Sequence, residues 1–287
     1  MEVSGILDRS DRRAQLHAMW DGVAPAWGAH ADFIDARGLE ITTALLARTE
    51  PAPGERVLEL AAGPGSVGLA AARLVGAEGA VVISDVSPQM TTIAAERAAA
   101  RKLRNVRTEV LDLERIAVPD ASFDVALCRE GLMLVPDPAA AAREILRALR
   151  PGGRFAVSVW GPRARNPWLS VIFDTLTEAS GTPVPPPAIP GPFSLDDAGR
   201  LERILTGAGL ANVAVHEVPT PYRAATVADW WERSAALAGP MAKRLAALPE
   251  LARRTLMAKA GEAVAPYATA AGLEIPGVSL LASGRRP

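Results

Sequence analysis

Cysteine is almost missing from the 287-residue chain: Cys128 stands alone. A single thiol excludes an internal disulfide framework and suits a reducing compartment, so a cytoplasmic protein is expected. Histidine is scarce too, with three copies, and no His, Cys, Asp or Glu cluster has metal-ligand spacing, so no metal is expected. Charge of one sign is lacking: 31 Lys and Arg against 32 Asp and Glu leave −1, which argues against nucleic acid as a partner. The densest basic stretch, Arg101-Lys102-Leu103-Arg104-Asn105-Val106-Arg107, reads as a solvated face between a helix and a strand. No charge-free apolar run reaches membrane length without being broken by proline. Glu2, Asp8, Arg9 and Asp11, with no apolar core among them, disfavour a signal peptide. No internal repeat is visible.

With 49% hydrophobic residues, the chain can bury one large core, as a single domain or as a core with a cap. Its most informative stretch is Val57-Leu58-Glu59-Leu60-Ala61-Ala62-Gly63-Pro64-Gly65-Ser66-Val67-Gly68. An apolar strand ends in an acid and breaks into a glycine turn that opens an alanine-rich helix. Missing Cβ atoms let such a turn approach a ligand closely at the head of a parallel sheet. Val81-Val82-Ile83-Ser84-Asp85 reads as the next strand, ending in a carboxylate able to accept both hydroxyls of a ribose. Together they indicate a nucleoside-containing cofactor.

Gly63-x-Gly65-x-x-Gly68 also fits the dinucleotide fingerprint, which alone is a weak signal. Glu59 sits at the end of the first strand, where a pyrophosphate site wants no carboxylate. Pro64 stiffens the turn, and residues 57–72 hold no Lys or Arg to meet a phosphate. S-adenosylmethionine carries an ammonium and a sulfonium and no phosphate, so an acid-first turn suits it better.

Strands are expected over 56–60, 80–84, 106–111, 123–128 and 154–160, with helices over 66–74, 88–102 (capped by Ser87) and 138–150 (ended by Pro151-Gly152-Gly153). Such alternation predicts an α/β fold, a doubly wound, mostly parallel sheet covered on both faces. Residues 182–192 hold six prolines and read as a stiff loop. Ser194-x-x-Asp197 and Thr226-x-x-Asp229 look like capping boxes for helices to 205 and over 226–235. Further helix is expected over 242–265, with strands over 213–218 and 277–283. The expected division is one domain: a core over 51–160, 194–220 and 272–285, and a helical cap from 1–50, 161–193 and 221–271. The cap would build a substrate pocket over the sheet's carboxyl edge.

Glu59-Leu60-Ala61-Ala62-Gly63-Pro64-Gly65, Asp85-Val86-Ser87-Pro88-Gln89-Met90, Asp112-Leu113-Glu114 and Leu149-Arg150-Pro151-Gly152-Gly153 follow one another at characteristic spacing. In this the chain resembles class I S-adenosylmethionine-dependent methyltransferases. It is most similar to the branch of ubiquinone/menaquinone C-methyltransferases and small-molecule methyltransferases of secondary metabolism. The similarity covers about residues 55–160; Asn166-Pro167-Trp168, Gly191-Pro192-Phe193-Ser194 and Ser283-Gly284-Arg285-Arg286 extend it less specifically. Ala61 stands where the family usually has glycine.

The resemblance implies a Rossmann-like seven-stranded sheet whose last strand runs antiparallel, and methyl transfer to a small organic acceptor with S-adenosylhomocysteine as product. By position, backbone around Ala61, Gly63 and Gly65 would cradle the donor's methionine portion, with Glu59 ordering the turn or the ammonium. Asp85 would hold the ribose, Val86 and Met90 the adenine faces, and Asp112 and the Leu113 amide the adenine edge. Cys128 and Arg129 would lie beside the donor's sulfur and carboxylate, with Trp20 and Trp27 folding over it.

Methyl transfer needs alignment before acid–base help, and a general base matters only where the acceptor must lose a proton. The candidates are Glu130, past the fourth strand, and His17 and His30 near the N-terminus; His216 lies in a strand remote from the motifs. A protein that keeps the donor site for another purpose is the alternative, ahead of an NAD-dependent oxidoreductase. A nucleic-acid methyltransferase is disfavoured by charge and by the missing Asn/Asp-Pro-Pro-aromatic motif. The acceptor, the atom methylated and the oligomeric state, a homodimer included, stay open.

Overall fold

Short apolar strands rich in Val, Leu and Ile alternate with helices of one apolar face, and this pattern generates the architecture. The computed structural model describes residues 9–187, 189–238, 245 and 247–287. Its strands are β1 (Arg56–Leu60), β2 (Ala80–Asp85), β3 (Val106–Val110), β4 (Phe123–Arg129), β5 (Leu149–Trp160), β6 (Ala211–Pro219), β7 (Tyr222–Ala224), β8 (Ala268–Thr269), β9 (Gly272–Ile275) and β10 (Val278–Arg285). The helices are α1 (Arg9–Ala29), α2 (Ala31–Arg37), α3 (Leu39–Thr49), α4 (Ser66–Val75), α5 (Pro88–Ala100), α6 (Pro138–Ala148), α7 (Pro167–Ser180), α8 (Ala198–Gly207), α9 (Val227–Leu237) and α10 (Glu250–Val264).

Seven strands form one sheet in the order β3-β2-β1-β4-β5-β10-β6. β1 to β5 pair in parallel, whereas β10 runs antiparallel to both neighbours. This is the Rossmann-like sheet expected. Strand side chains alternate between faces, so each face carries its own core. Leu58, Val82, Ala126 and Phe155 meet α6 and α8 through Ile145, Leu201 and Leu205. Val57, Ile83, Val125 and Leu127 meet α3 and α4 through Ile41, Leu45 and Val67. Each large aliphatic side chain buried this way contributes roughly 1.5–3 kcal/mol of hydrophobic transfer.

A third apolar cluster lies outside the sheet, built by α7, α9, α10 and the small strands around Trp168, Trp230, Tyr222 and Ile275. Trp230 is fully buried because its one polar atom is satisfied: Nε1 donates to the Trp168 carbonyl at 2.8 Å. Thr226 and Asp229 form the expected capping box at the start of α9.

Three local expectations need correction. First, α6 stops at Ala148, and Leu149-Arg150-Pro151-Gly152-Gly153 belongs to β5, pairing Phe123 with Leu149 across a register shift. The bulge accommodates Pro151, which has no N–H to give a ladder. Second, Ser194 does not cap α8. Asp197 does, accepting from the Arg200 N–H, while the Ser194 hydroxyl donates to the Met133 carbonyl. Third, the segment 221–271 is not wholly helical: it holds β7 and β8, which pair with β9 just beyond it in a second, antiparallel sheet. Strands of 3, 2 and 4 residues are too short to show a period. Of the helix expected over 242–265, residues 242–244 and 246 lie outside the described residues. No helix among the described residues is long and apolar enough to cross a membrane.

Candidate functional site

The glycine turn is held from below by Glu59. Its two oxygens accept the N–H groups of Val67 at 3.2 Å and Gly68 at 2.8 Å, capping α4 from the preceding strand. Burial pushes the Glu59 carboxyl up to about 7, against those hydrogen bonds and Arg129, which act the other way. The turn runs through the left-handed region at Ala61 (φ 48°), Gly63 (φ 52°) and Gly65 (φ 83°). Alanine at position 61 adopts a conformation that costs it about 1 kcal/mol relative to glycine. The Arg97 guanidinium reaches the turn only from behind, on the Pro64 carbonyl and Asp35.

Asp85 ends β2 and ties the two motifs together. Its oxygens accept from Gly63 N at 2.8 Å and Ser87 N at 3.0 Å. Burial raises its pKa while those N–H groups oppose the shift. Each oxygen retains a lone pair, and the residue borders a cavity of about 330 Å³ over the sheet's carboxyl edge.

Ala61, Gly63, Val86, Met90, Asp112 and Leu113 border the same cavity. Helix α1 covers this side. Arg13 Nε lies 3.2 Å and His17 Nε2 3.6 Å from Asp112 Oδ2. Asp21 accepts from Ser87 Oγ at 2.7 Å, Gln89 N at 3.1 Å and Gln89 Nε2 at 3.0 Å, latching α1 to the start of α5. Trp20 and Trp27 meet edge to face at 6.1 Å. The Trp27 ring lies over Gly63, where a Cβ would come within 3.4 Å of it.

The other side of the cavity is built around the end of β4. Glu130 adopts φ 57° there. Its Oε1 accepts from Ser158 Oγ at 3.1 Å and Ser279 Oγ at 2.9 Å, while buried Oε2 has no hydrogen-bond partner. Burial pushes its carboxyl above the ordinary range, opposed by Ser279 and by the charges of Arg37 and Arg129. Arg129 itself donates to Thr42 Oγ1 at 3.0 Å.

Four of the residues named from sequence do not border the cavity. Cys128 is fully buried in the sheet core, its sulfur beneath Gly131, and burial pushes its thiol up to about 12. This corrects the expectation of a side chain beside the donor. Glu59 faces the helix end, so of its two expected roles it performs the ordering of the turn. Gly65 packs against Ala94 and Ile83 instead of facing the cavity. His30 occupies the α1–α2 junction, outside the lining. His17 does line the cavity, but at Asp112, across the sheet from Glu130.

Residues 57–153 match the methyltransferase domain family. This segment is similar to methyltransferase domains. The curated proteins it resembles are methyltransferases by name. The chain is 36% identical over 124 residues to the ubiquinone/menaquinone biosynthesis C-methyltransferase UbiE of Ectopseudomonas mendocina (strain ymp), covering 43% of this chain and 48% of that one. It is 33% identical over 138 residues to the aklanonic acid methyltransferase DauC of Streptomyces sp. (strain C5), covering 47% and 63%. The alignments thus span about half to three fifths of these relatives. In fold it is similar to the [4+2]-cyclase SpnF, with a TM-score of 0.54, 24% identity, and 85% and 80% of the two chains covered.

The matched segment supplies Asp85, Asp112 and Glu130, but several cavity residues lie outside it. Arg37, Trp160, Trp168, Tyr222 and Ser234 all border the cavity and none was singled out as a site residue from sequence. The Arg37 guanidinium carbon sits 4.0 Å from the Trp168 ring centre, 4.8 Å from Trp160 and 5.0 Å from Tyr222. The only signal was the Asn166-Pro167-Trp168 flank. Asn166 fixes that tryptophan, accepting from its Nε1 at 3.1 Å.

Proposed function

We propose that this chain transfers a methyl group from S-adenosylmethionine to a small, largely apolar organic acceptor. The observation that carries the reading is Asp85: a carboxylate at the end of β2, anchored on the glycine turn and facing the cavity. The residues present fit the donor. Asp85 and Asp112 offer acceptors for ribose hydroxyls and an adenine amine, and Ala61 and Gly63 present backbone where side chains would intrude. A pyrophosphate would find no basic side chain in residues 57–72.

When bound, the donor supplies a methyl carbon already activated by a sulfonium. The chain's own task is to align a nucleophile with it and keep water out. Trp20, Trp27 and α1 close one side; α2, α7, α9 and the loop around Ile189 and Pro192 serve as the acceptor-binding cap. Leu169, Phe173, Ile189 and Pro192 give that cap an apolar lining. Of the three candidate bases, Glu130 has an unpartnered oxygen, Oε2, on the acceptor side, and burial raises its pKa and so its basicity. An acceptor that must lose a proton gives it to Oε2.

The test is calorimetric titration with S-adenosylmethionine, using Asp85→Ala as control and NAD as competitor. Micromolar binding, lost in the variant and indifferent to NAD, is expected; no binding, or preference for NAD, would overturn the reading. Formation of S-adenosylhomocysteine with an acceptor then separates a methyltransferase from a protein that only keeps the donor site.

A further inference from the structure

Six buried side-chain polar atoms among the described residues lack a hydrogen-bond partner, and five belong to Arg37, Glu130, Tyr222 and Ser234. All four residues border the one cavity. An unpaired buried polar group costs about 1–3 kcal/mol, and native proteins keep few of them. Five gathered on one wall point to a ligand that pairs with them.

The atoms involved say what that ligand carries. On Arg37 the unpartnered nitrogens are Nε and Nη2. These two share one edge of the guanidinium, and their parallel N–H bonds match the two oxygens of a carboxylate. The plane of the group is already occupied by the Trp160, Trp168 and Tyr222 rings, so the edge is the face left for recognition. Burial pulls the guanidinium down to about 10, which leaves it cationic at neutral pH. Glu130 faces it electrostatically but neither accepts its N–H bonds nor forms an ion pair with it. The Tyr222 and Ser234 hydroxyls stand in the same wall, close enough that Ser234 opposes the rise that burial gives the Tyr222 pKa.

The position of the group separates it from the donor. Asp85 is on β2 and Trp160 on β5, three steps apart in the sheet, or roughly 14 Å at about 4.8 Å per strand. By the resemblance the donor's methionine portion, its carboxylate included, belongs with Ala61, Gly63 and Arg129 at the ends of β1 and β4, and Trp160 ends β5 beyond them.

We propose that the acceptor is a flat, mostly apolar organic acid whose carboxylate is held edge-on by Nε and Nη2 of Arg37, with its body between the aromatic residues of the cap. The proposal rests on the methyltransferase reading for the word acceptor. The carboxylate is a handle: with both oxygens bound to the guanidinium it is a poor nucleophile, and the methylated atom lies elsewhere on the molecule.

The test compares arene carboxylates of one to three fused rings with their neutral amides, titrated into protein saturated with S-adenosylhomocysteine. At least one carboxylate is expected to bind about tenfold or more tightly than its amide. Arg37→Met is expected to erase that preference and Arg37→Lys to reduce it, with S-adenosylmethionine affinity unchanged in both. The unchanged donor affinity reports that the variants fold. Equal binding of acid and amide, a preference that survives Arg37→Met, or no binding by any pair overturns the proposal. The methyltransferase reading fails separately, through loss of donor binding, and the acid–amide comparison can be run without the donor product.

Discussion

Glu59 and Gly68 share one small volume. A Cβ on Gly68 would stand 2.5 Å from Glu59 Oε2, the oxygen that accepts the Gly68 N–H at 2.8 Å, and 2.6 Å from Ile83 Cγ1. Gly68 is therefore a packing glycine of the helix start, and the fingerprint spacing it completes does not arise from phosphate binding. Gly68→Ala is expected to lower stability by about 1–3 kcal/mol, despite alanine's better helix propensity. Urea unfolding followed by circular dichroism measures it; an unchanged midpoint counts against the clash.

The same carboxylate makes stability depend on pH. Its pKa of about 7 in the folded protein lies above the value of about 4.3 expected unfolded. The native state holds the proton more tightly, so this contribution is complete below about pH 4 and is lost as pH rises through about 7. Glu59→Gln cannot lose it. Between about pH 5 and pH 8 the unfolding free energy of the variant is expected to gain on that of the parent protein. A constant difference across the range would contradict the burial of the group.

Ala61 and Gly131 form a second coupled pair. A Cβ at 131 would meet the Ala61 methyl at 2.5 Å and Cys128 Sγ at 2.9 Å. Gly131→Ala is expected to destabilise by about 1–3 kcal/mol. Ala61→Gly removes the opposing methyl and the left-handed strain together, so the double variant should recover part of the loss. A double-mutant cycle with a coupling of about 0.5 kcal/mol or more is the expected result, and strict additivity the contrary one.

Asp21 holds α1 over the donor side through its three bonds to Ser87 and Gln89. The same bonds, Ser87 foremost, hold its carboxyl below the usual range. Asp21→Ala is expected to speed hydrogen exchange across α1 and weaken S-adenosylmethionine binding by about tenfold, the equivalent of roughly 1.4 kcal/mol. Unaltered exchange in α1 would show that other contacts hold the helix.

Cys128 is expected to be inert. With no exposed surface and a thiol pushed up to about 12, it should react with a thiol reagent such as dithiobis-nitrobenzoate only after unfolding. Rapid labelling of the native protein would refute its placement in the core.

The Asp85 and Asp112 side of the cavity was legible in the sequence because its geometry is local. Each motif is a strand end plus the next few residues, so Asp85 and Asp112 could be named from pattern alone. Cys128 failed to reach the cavity because strand period turns it into the core on one face of β4. Arg37 could not be read. It sits on a helix of 7 residues, and its significance comes from Trp160, Trp168 and Tyr222, which are distant in sequence. The same holds for the second sheet, whose pairing of Tyr222 with Ile275 and of Arg223 with Glu274 joins strands some fifty positions apart.

The antiparallel strand β10 has a consequence for how the protein is made. It is the last strand in chain order, yet it is inserted between β5 and β6, and β6 has no other neighbour in the sheet. During synthesis, β1 to β5 can assemble as the chain emerges, while β6 must wait unpaired for a strand about sixty residues downstream. The wait also governs the cavity, because β10 brings the Ser279 hydroxyl that holds Glu130. A nascent chain can thus complete the side of the cavity around Asp85 before the side around Glu130.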